Sequence, residues 1–471
     1  MKKIKYFIYL VLISIIIHSN CYAFNAYSVG SKYAVGVTHA GDDFTLNVTN
    51  AAMAYKKITG CNSYKSLISS YDYMRGSRLG SSRVYFINGH ANYDRIATAG
   101  YDKDNYRTGI SIYNDGYAYN DNLGDKWIFA GLNGRDMSGT RLITFAGCLT
   151  ASKSNNLTTK AVEQGAKTAV GFSTTIQSRT EYGPTWLITY NDSLANGYNI
   201  TSAVDRASVS YPSSSLTKGV VIKGNLSTKL VDGPELCSSG SLNESQSYRS
   251  LEISLQEGSE SLKSIENTYK KVMVASQIKL NLSKKEEINY SNDSIIKIVD
   301  LIKKEDLDFN EDDYKITYNI VNEERGYAYI FFTYFINGNI ETNKVYLAIV
   351  DNNNVRDIVL AGVKESNINK VKSVDHNVLS NKLNNFEKNS KKNCLYREAK
   401  KMYKEVSQFS VNDIFTNSNE VNVSKISQDI KDYEEKYFYD YNTNELSYKL
   451  MMGIELENGT YDGEMIKIII E

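Results

Sequence analysis

Two residues of this chain stand where covalent chemistry is feasible. His90 closes the apolar run Val84-Tyr85-Phe86-Ile87-Asn88-Gly89, and Cys148 closes the run Ile143-Thr144-Phe145-Ala146-Gly147. A thiol attacks a carbonyl carbon only as the thiolate. An imidazole beside it can take its proton, or stand as imidazolium next to the thiolate. The same imidazole can then protonate the leaving amine. The tetrahedral intermediate needs fixed donors for its oxyanion. The backbone N–H of Cys148 and that of Gly89 or Ala91 are the candidates, because tight turns at strand ends expose such groups. The predicted roles are general base/acid for His90 and nucleophile for Cys148.

These residues need elements that present them side by side. Continuous apolar runs bounded by small residues suit strands buried on both faces, as in a parallel sheet. Ligands and chemistry gather at the carboxyl ends of such strands. The surrounding sequence alternates accordingly. Strands are expected at 32–38, 66–70, 84–88, 143–147, 167–172 and 219–223, and helices at 47–58, 157–165, 184–196 and 200–208. That alternation predicts an α/β, doubly wound and mostly parallel sheet. The stretch 93–140 is rich in Gly, Asp, Asn and Tyr and reads as a hairpin or mobile loop with a partly helical piece near Trp127. His39 also ends an expected strand; loop residue, substrate contact and base are the three roles open to it. Asp42 and Asp43 follow it as turn residues, or as weak candidates for substrate binding.

The character changes near Ser238. Residues 238–250 are rich in Ser, Gly and Asn and read as a linker. Residues 251–471 read as an α+β accessory domain, with helices at 251–273, 294–302 and 377–406. Strands are expected at 314–321, 327–336, 344–350 and 355–360, and a closing antiparallel meander at 437–440, 446–456 and 464–470. Asn337-Gly338 and Asp351-Asn352 punctuate it as turns. The lysine-rich helices read as solvated faces. No catalytic constellation is visible in this half, and binding to a cell envelope, binding to substrate and action as an inhibitory segment are the roles open to it.

The N-terminus reads as an export signal. A basic Met1-Lys2-Lys3-Ile4-Lys5 precedes the apolar run Tyr6 to Ile17, and Cys21-Tyr22-Ala23 offers small residues around a cut after Ala23. Attachment of lipid at Cys21 is the minority alternative, because His18-Ser19-Asn20 fits that signal poorly. The expected location is therefore secreted or cell-surface, where disulfides are permitted. After that cut, Cys61, Cys148, Cys237 and Cys394 remain, with no CxxC pair and no metal-ligand spacing. No cofactor and no metal are expected. Lys plus Arg and Asp plus Glu both number 54, and no basic stripe appears, so a nucleic-acid partner is not expected. The scarcity of proline beside abundant Lys, Asn, Ile and Tyr is the bias of an AT-rich bacterial genome.

An apolar strand ending in Gly-His, followed by another ending in Ala-Gly-Cys, resembles the caspase-like cysteine peptidase clan, which includes caspases, gingipains, clostripain, legumain, separase and the CHAT peptidases. The local sequences FINGHAN and ITFAGCLTA look most like the CHAT and separase branches. The following NLTTKAVEQGAKTAVGF (156–172) matches the helix, Gly-Ala turn and Val-rich strand of CHAT domains. The resemblance covers roughly residues 30 to 230. It implies a thiol protease that cuts protein or peptide substrates through a thioester, with His90 and Cys148 in the roles given above. The clan usually has Gly after the His, where this chain has Ala91. Members that cut after Arg or Lys often carry Asp two residues before the Cys, where this chain has Ala146. Two other functions fit the same residues: a catalytically silent caspase-like domain used for cell-surface binding or assembly, and an acyl transferase using the same dyad.

Overall fold

The apolar runs do form buried strands. A computed structural model of the chain describes residues 24–30, 44–58, 60–67, 71–75, 78–101, 106–121, 124–230, 278–279, 292–352, 354–364, 366–367, 371, 373–403, 430–456 and 459–471. Several expectations lie outside the described residues: the leader with Cys21 and Ala23, the strand 32–38, His39, Asp42, Asp43, Cys237, the linker 238–250 and the helix 251–273.

The first sheet contains β1 (Phe24–Gly30), β2 (Cys61–Ser66), β3 (Val84–Asn88), β9 (Leu142–Ala146), β10 (Thr168–Phe172) and β11 (Val220–Gly224). Its order is β11-β10-β9-β3-β1-β2, parallel throughout except for the antiparallel edge strand β11. The architecture is α/β with a mostly parallel sheet. Its second strand starts five residues earlier than the expected 66–70, and β1 precedes the expected 32–38. Helices α1 (Thr45–Lys56), α2 (Tyr71–Arg75), α3 (Leu157–Glu163), α4 (Gly183–Ala195), α5 (Ile200–Ser210) and α6 (Ser215–Gly219) fill the connections. Local signals set their ends. Asn156 caps α3 by accepting the Thr159 N–H, Asn199 caps α5 through Ser202, and Pro184 sits in the first turn of α4. Gly165, at φ 106°, adopts a backbone open to glycine just past α3.

Successive side chains of β3 and β9 point to opposite faces. Val84, Phe86 and Leu142 pack with residues of α1, α4 and α5. Tyr85, Ile87, Ile143 and Phe145 pack on the other face with Leu157, Ala161, Ile96 and Ile110. That second face is covered partly by the His90–Cys148 insertion, where the expected hairpin is present, between Arg95–Tyr101 and Tyr106–Asn114, and the expected helical piece near Trp127 is a strand instead. The insertion is β-structure: β4 (Ala91–Asn92), β5 (Arg95–Tyr101), β6 (Tyr106–Asn114), β7 (Tyr117–Asn120) and β8 (Lys126–Asn133). Its aromatics recur every second residue, which is a strand period. Trp127 stacks on Phe129 with centroids 5.7 Å apart, and Tyr119 stacks on both. Gly and Asn breaks hid this pattern.

The C-terminal half supplies β12 (Ile278–Lys279), β13 (Tyr314–Asn322), β14 (Tyr327–Ile336), β15 (Ile340–Asp351), β16 (Asn354–Ala361), β17 (Ile430–Asp440), β18 (Glu445–Glu455) and β19 (Tyr461–Ile469), with helices α7 (Asn292–Glu305), α8 (His376–Asn385) and α9 (Lys391–Tyr403). The expected strands and closing meander are present. This half is continuous with the first rather than set apart from it. Among the described residues one sheet of 13 strands runs from β12 through β19 into β4 and on to β7. Tyr327, Tyr329, Phe331, Val345 and Leu347 share one buried cluster with the helices beside the parallel sheet. Polar ties reinforce the join. Asn319 Nδ2 donates to the Val220 carbonyl at 3.0 Å, and Asp205 accepts from Tyr329 at 2.7 Å and pairs with Arg356.

Candidate active site

Register places the two candidate residues together. Strands β3 and β9 are parallel neighbours, paired from Val84↔Leu142 to Asn88↔Ala146. His90 lies two residues beyond Asn88, and Cys148 two beyond Ala146. They therefore occupy equivalent positions past adjacent strand ends, which in a sheet are spaced by roughly 5 Å. The intervening glycines are needed for close approach. A side chain on Gly147 would meet Ala91 Cβ at 2.5 Å and the Gly89 carbonyl at 2.7 Å. One on Gly89 would collide with the Ala97 carbonyl. Ala91 sits in a strand and is not among the residues with positive φ, so it replaces a glycine here without backbone strain.

The turn after Cys148 is tightly specified. Leu149 has φ 61°, in the left-handed region that costs a side-chain-bearing residue roughly 1–2 kcal/mol. Thr150 Oγ1 donates within the turn, at 3.1 Å from the Phe145 carbonyl and 3.2 Å from that of Gly147, and accepts the Phe172 N–H at 2.9 Å. The Leu149 N–H donates to Thr174 at 3.0 Å. Cys148 Sγ faces the backbone of Ile176: it accepts the Ile176 N–H at 3.4 Å and lies 3.5 Å from the Ile176 carbonyl. Cys61, Cys148 and Cys394 are thiols rather than halves of a disulfide.

Ile176 belongs to the loop between β10 and α4, which a buried amide network holds over the strand ends. Asn88 Nδ2 donates to the Ala146 carbonyl and, at 3.2 Å, to Ser178 Oγ. Asn47 Nδ2 donates to Asn88 Oδ1 at 2.7 Å and to the Ser178 carbonyl at 2.8 Å. The sequence reading missed these residues. The signals available were an Asn inside the apolar run of β3 and another near the start of α1.

The C-terminal strand reaches this site. Tyr461 of β19 pairs antiparallel with Ala91 of β4, and Asn92 Nδ2 donates to the Gly459 carbonyl at 2.9 Å. Asp462 carries the central contacts. Its Oδ1 is 3.4 Å from His90 Nδ1, and its Oδ2 accepts from Arg179 at 2.5 Å. All three side chains are largely buried. Phe44 walls the group, edge-on to the His90 ring at 5.1 Å and beneath the Arg179 guanidinium at 5.3 Å. Gly463 is pressed against Ile176, where an added side chain would collide with the Ile176 carbonyl. His90 is 2% exposed and Cys148 4%.

Of the predicted site residues, then, His90, Cys148, Gly89 and Ala91 converge, while Asp42 and Asp43 are outside the described residues. The Gly89 N–H is directed at the Ala146 carbonyl at 3.4 Å and is thus already engaged. Among the described residues no group of His, Cys, Asp or Glu is arranged to hold a metal ion. The arrangement supplies a thiol, an imidazole in contact with a carboxylate, and a buried guanidinium. The sequence matches neither any protein-family model nor any curated protein.

Proposed function

We propose that this chain is a cysteine peptidase of the caspase-like type, exported from the cell, that cleaves protein or peptide substrates with the His90/Cys148 dyad. The carrying observation is the register: Gly-His and Gly-Cys stand at equivalent positions past neighbouring parallel strands. In the reaction, Cys148 gives its proton to His90 and its sulfur bonds to the substrate carbonyl carbon. The carbonyl π electrons move to oxygen, for which the Cys148 and Ala91 N–H groups are the candidate donors. The intermediate collapses, the C–N bond breaks, and His90 returns its proton to the leaving amine. Water, deprotonated by His90, then cleaves the thioester and regenerates the thiol. The same dyad would serve an acyl transferase if an amine or alcohol replaced the water.

A second reading has one observation in its favour. Both reactive side chains are almost fully buried, which suits a silent caspase-like domain used for binding or assembly at the cell surface. One experiment separates the two. Hydrolysis of a peptide-amide library by the full chain is compared with that by Cys148→Ala and His90→Ala. The peptidase reading expects each substitution to remove about 10²-fold or more of the rate. Equal non-zero rates in all three proteins favour the binding module.

A further inference from the structure

Resting on the peptidase reading, we infer that residues 459–463 are a built-in substrate mimic, occupying the peptide cleft and marking Arg179 as the receptor for an acidic substrate side chain.

Three kinds of contact define how an extended peptide is held in a cleft: strand pairing, a side-chain pocket, and close backbone approach at the reacting groups. The segment makes all three. Its backbone adds to the edge of β4 at the residue after His90, and Asn92 fixes the Gly459 carbonyl. Asp462 enters a pocket made by Arg179, His90 and Phe44. Gly463 then passes against Ile176, the residue whose N–H faces Cys148 Sγ. The link between Asp462 and Gly463 therefore runs from the imidazole towards the thiol, the path a substrate must follow to reach both.

The pocket has a preferred charge. A guanidinium this deeply placed requires a partner, because an uncompensated buried charge is strongly unfavourable. Arg179 is 12% exposed and Asp462 6% exposed at the side chain. An incoming peptide that displaces Asp462 must replace its carboxylate, so Asp at the residue before the scissile bond is favoured over Asn, and Lys or Arg is repelled. The occupant is also tethered. On its other edge β19 pairs with β18, through Tyr461↔Glu455, Asp462↔Ile454 and Gly463↔Gly453. A tethered strand competes at high effective concentration with any free peptide. The chain is consequently latent until β19 leaves the β4 edge.

The test uses the full chain and two readouts: the rate at which iodoacetamide alkylates Cys148, located by peptide mapping, and hydrolysis of fluorogenic peptide amides bearing Asp, Asn or Lys before the scissile bond. Asp462→Ala removes the charge, Gly463→Ala forces the strand off Ile176, and Asn92→Ala, at a half-buried position, releases Gly459 with little risk to folding. Alkylation is expected to accelerate about tenfold in the first two variants and less in the third, as the closed population falls. In Gly463→Ala, Asp peptides should protect Cys148 from alkylation at lower concentration than Lys peptides, and Arg179→Ala in that background should abolish the difference. Acceleration with protection but no hydrolysis supports the mimic and sinks the peptidase reading. Unchanged alkylation in all three folded variants overturns the mimic. So does a fall in hydrolysis in Asp462→Ala at unchanged alkylation, which would make Asp462 a positioning residue for His90.

Discussion

The two sheets of this molecule are held in different ways. In the parallel sheet, β3 and β9 bury every residue, and their order is fixed by apolar side chains packed on both faces. The second sheet joins the helices beside the first through the apolar cluster of Tyr327, Tyr329, Phe331, Val345 and Leu347, and its β17–β18 part adds charged and polar ties. Glu341 of β15 contacts both Lys436 of β17 and Lys218 of α6, Lys449 reaches Glu181, and Tyr182 donates to Asp440 at 2.6 Å. Apolar burial is non-directional and survives changes of pH. Paired charges respond to protons and salt. Rigid presentation of the reactive side chains thus belongs to the parallel sheet, and the ties that respond to pH and salt to the β15, β17 and β18 contacts of the other.

Experiments can break this contrast or sharpen it. The largest effect is expected in the parallel sheet: Phe86→Ala should cost about 3–5 kcal/mol in chemical denaturation. A cost below about 1 kcal/mol would deny that apolar packing fixes the strand ends.

Acid should act on the other sheet. Burial raises the Glu341 carboxyl, but Lys218 and Lys436 outweigh it and hold the group down at about 2. A depressed carboxylate stabilises the fold above its unfolded value and loses that contribution as pH falls through the folded one. Stability should therefore drop by roughly 3 kcal/mol between about pH 4.5 and 2. Glu341→Gln should flatten that part of the pH profile, as followed by thermal melting; an unaltered profile would place the acid sensitivity elsewhere.

Asn88→Ala tests the link between the sheets. It strips partners from Asn47, Ser178 and the Ala146 carbonyl, which should cost about 1–3 kcal/mol. It should also lower peptide hydrolysis more than a change of equal cost elsewhere, by loosening the loop that carries Ile176 and Arg179. The smallest effect is expected at Cys61. Burial pushes its thiol up to about 12, so its alkylation should stay slow up to about pH 9 while Cys148 speeds up in the opened variants. Fast labelling of Cys61 would show that the β2 edge opens independently.

How much of this was legible in the sequence follows the same divide. The strands β3 and β9, their glycines and the residues beyond them stood out because double burial leaves continuous apolar runs. The hairpin expected in the insertion is present, but the piece near Trp127 was misread as helical because Gly131, a close-contact position in a strand, looks like a loop residue without its neighbours. Asp462 was invisible as a site residue: in sequence it is one acidic residue in a Tyr-Asp-Gly turn-like triplet, and only strand pairing brings it to His90. The amides Asn47 and Asn88 gained meaning only from each other. The functional resemblance rests on two short motifs, which the chain topology places on adjacent strands.

The pairing of Val84–Asn88 with Leu142–Ala146 also determines where the chain tolerates a change of length. Side chains alternate along a strand, so adding or deleting one residue in β9 would turn the following positions to the opposite face. Cys148 would then leave the side of the sheet that faces Ile176, with every residue type unchanged. An extra residue at the exposed Asp115-Gly116 turn between β6 and β7 is far from this register. Length is thus fixed within the two short runs and negotiable between them, and this is the freedom through which a large β-insertion could be placed between an imidazole and a thiol without moving either.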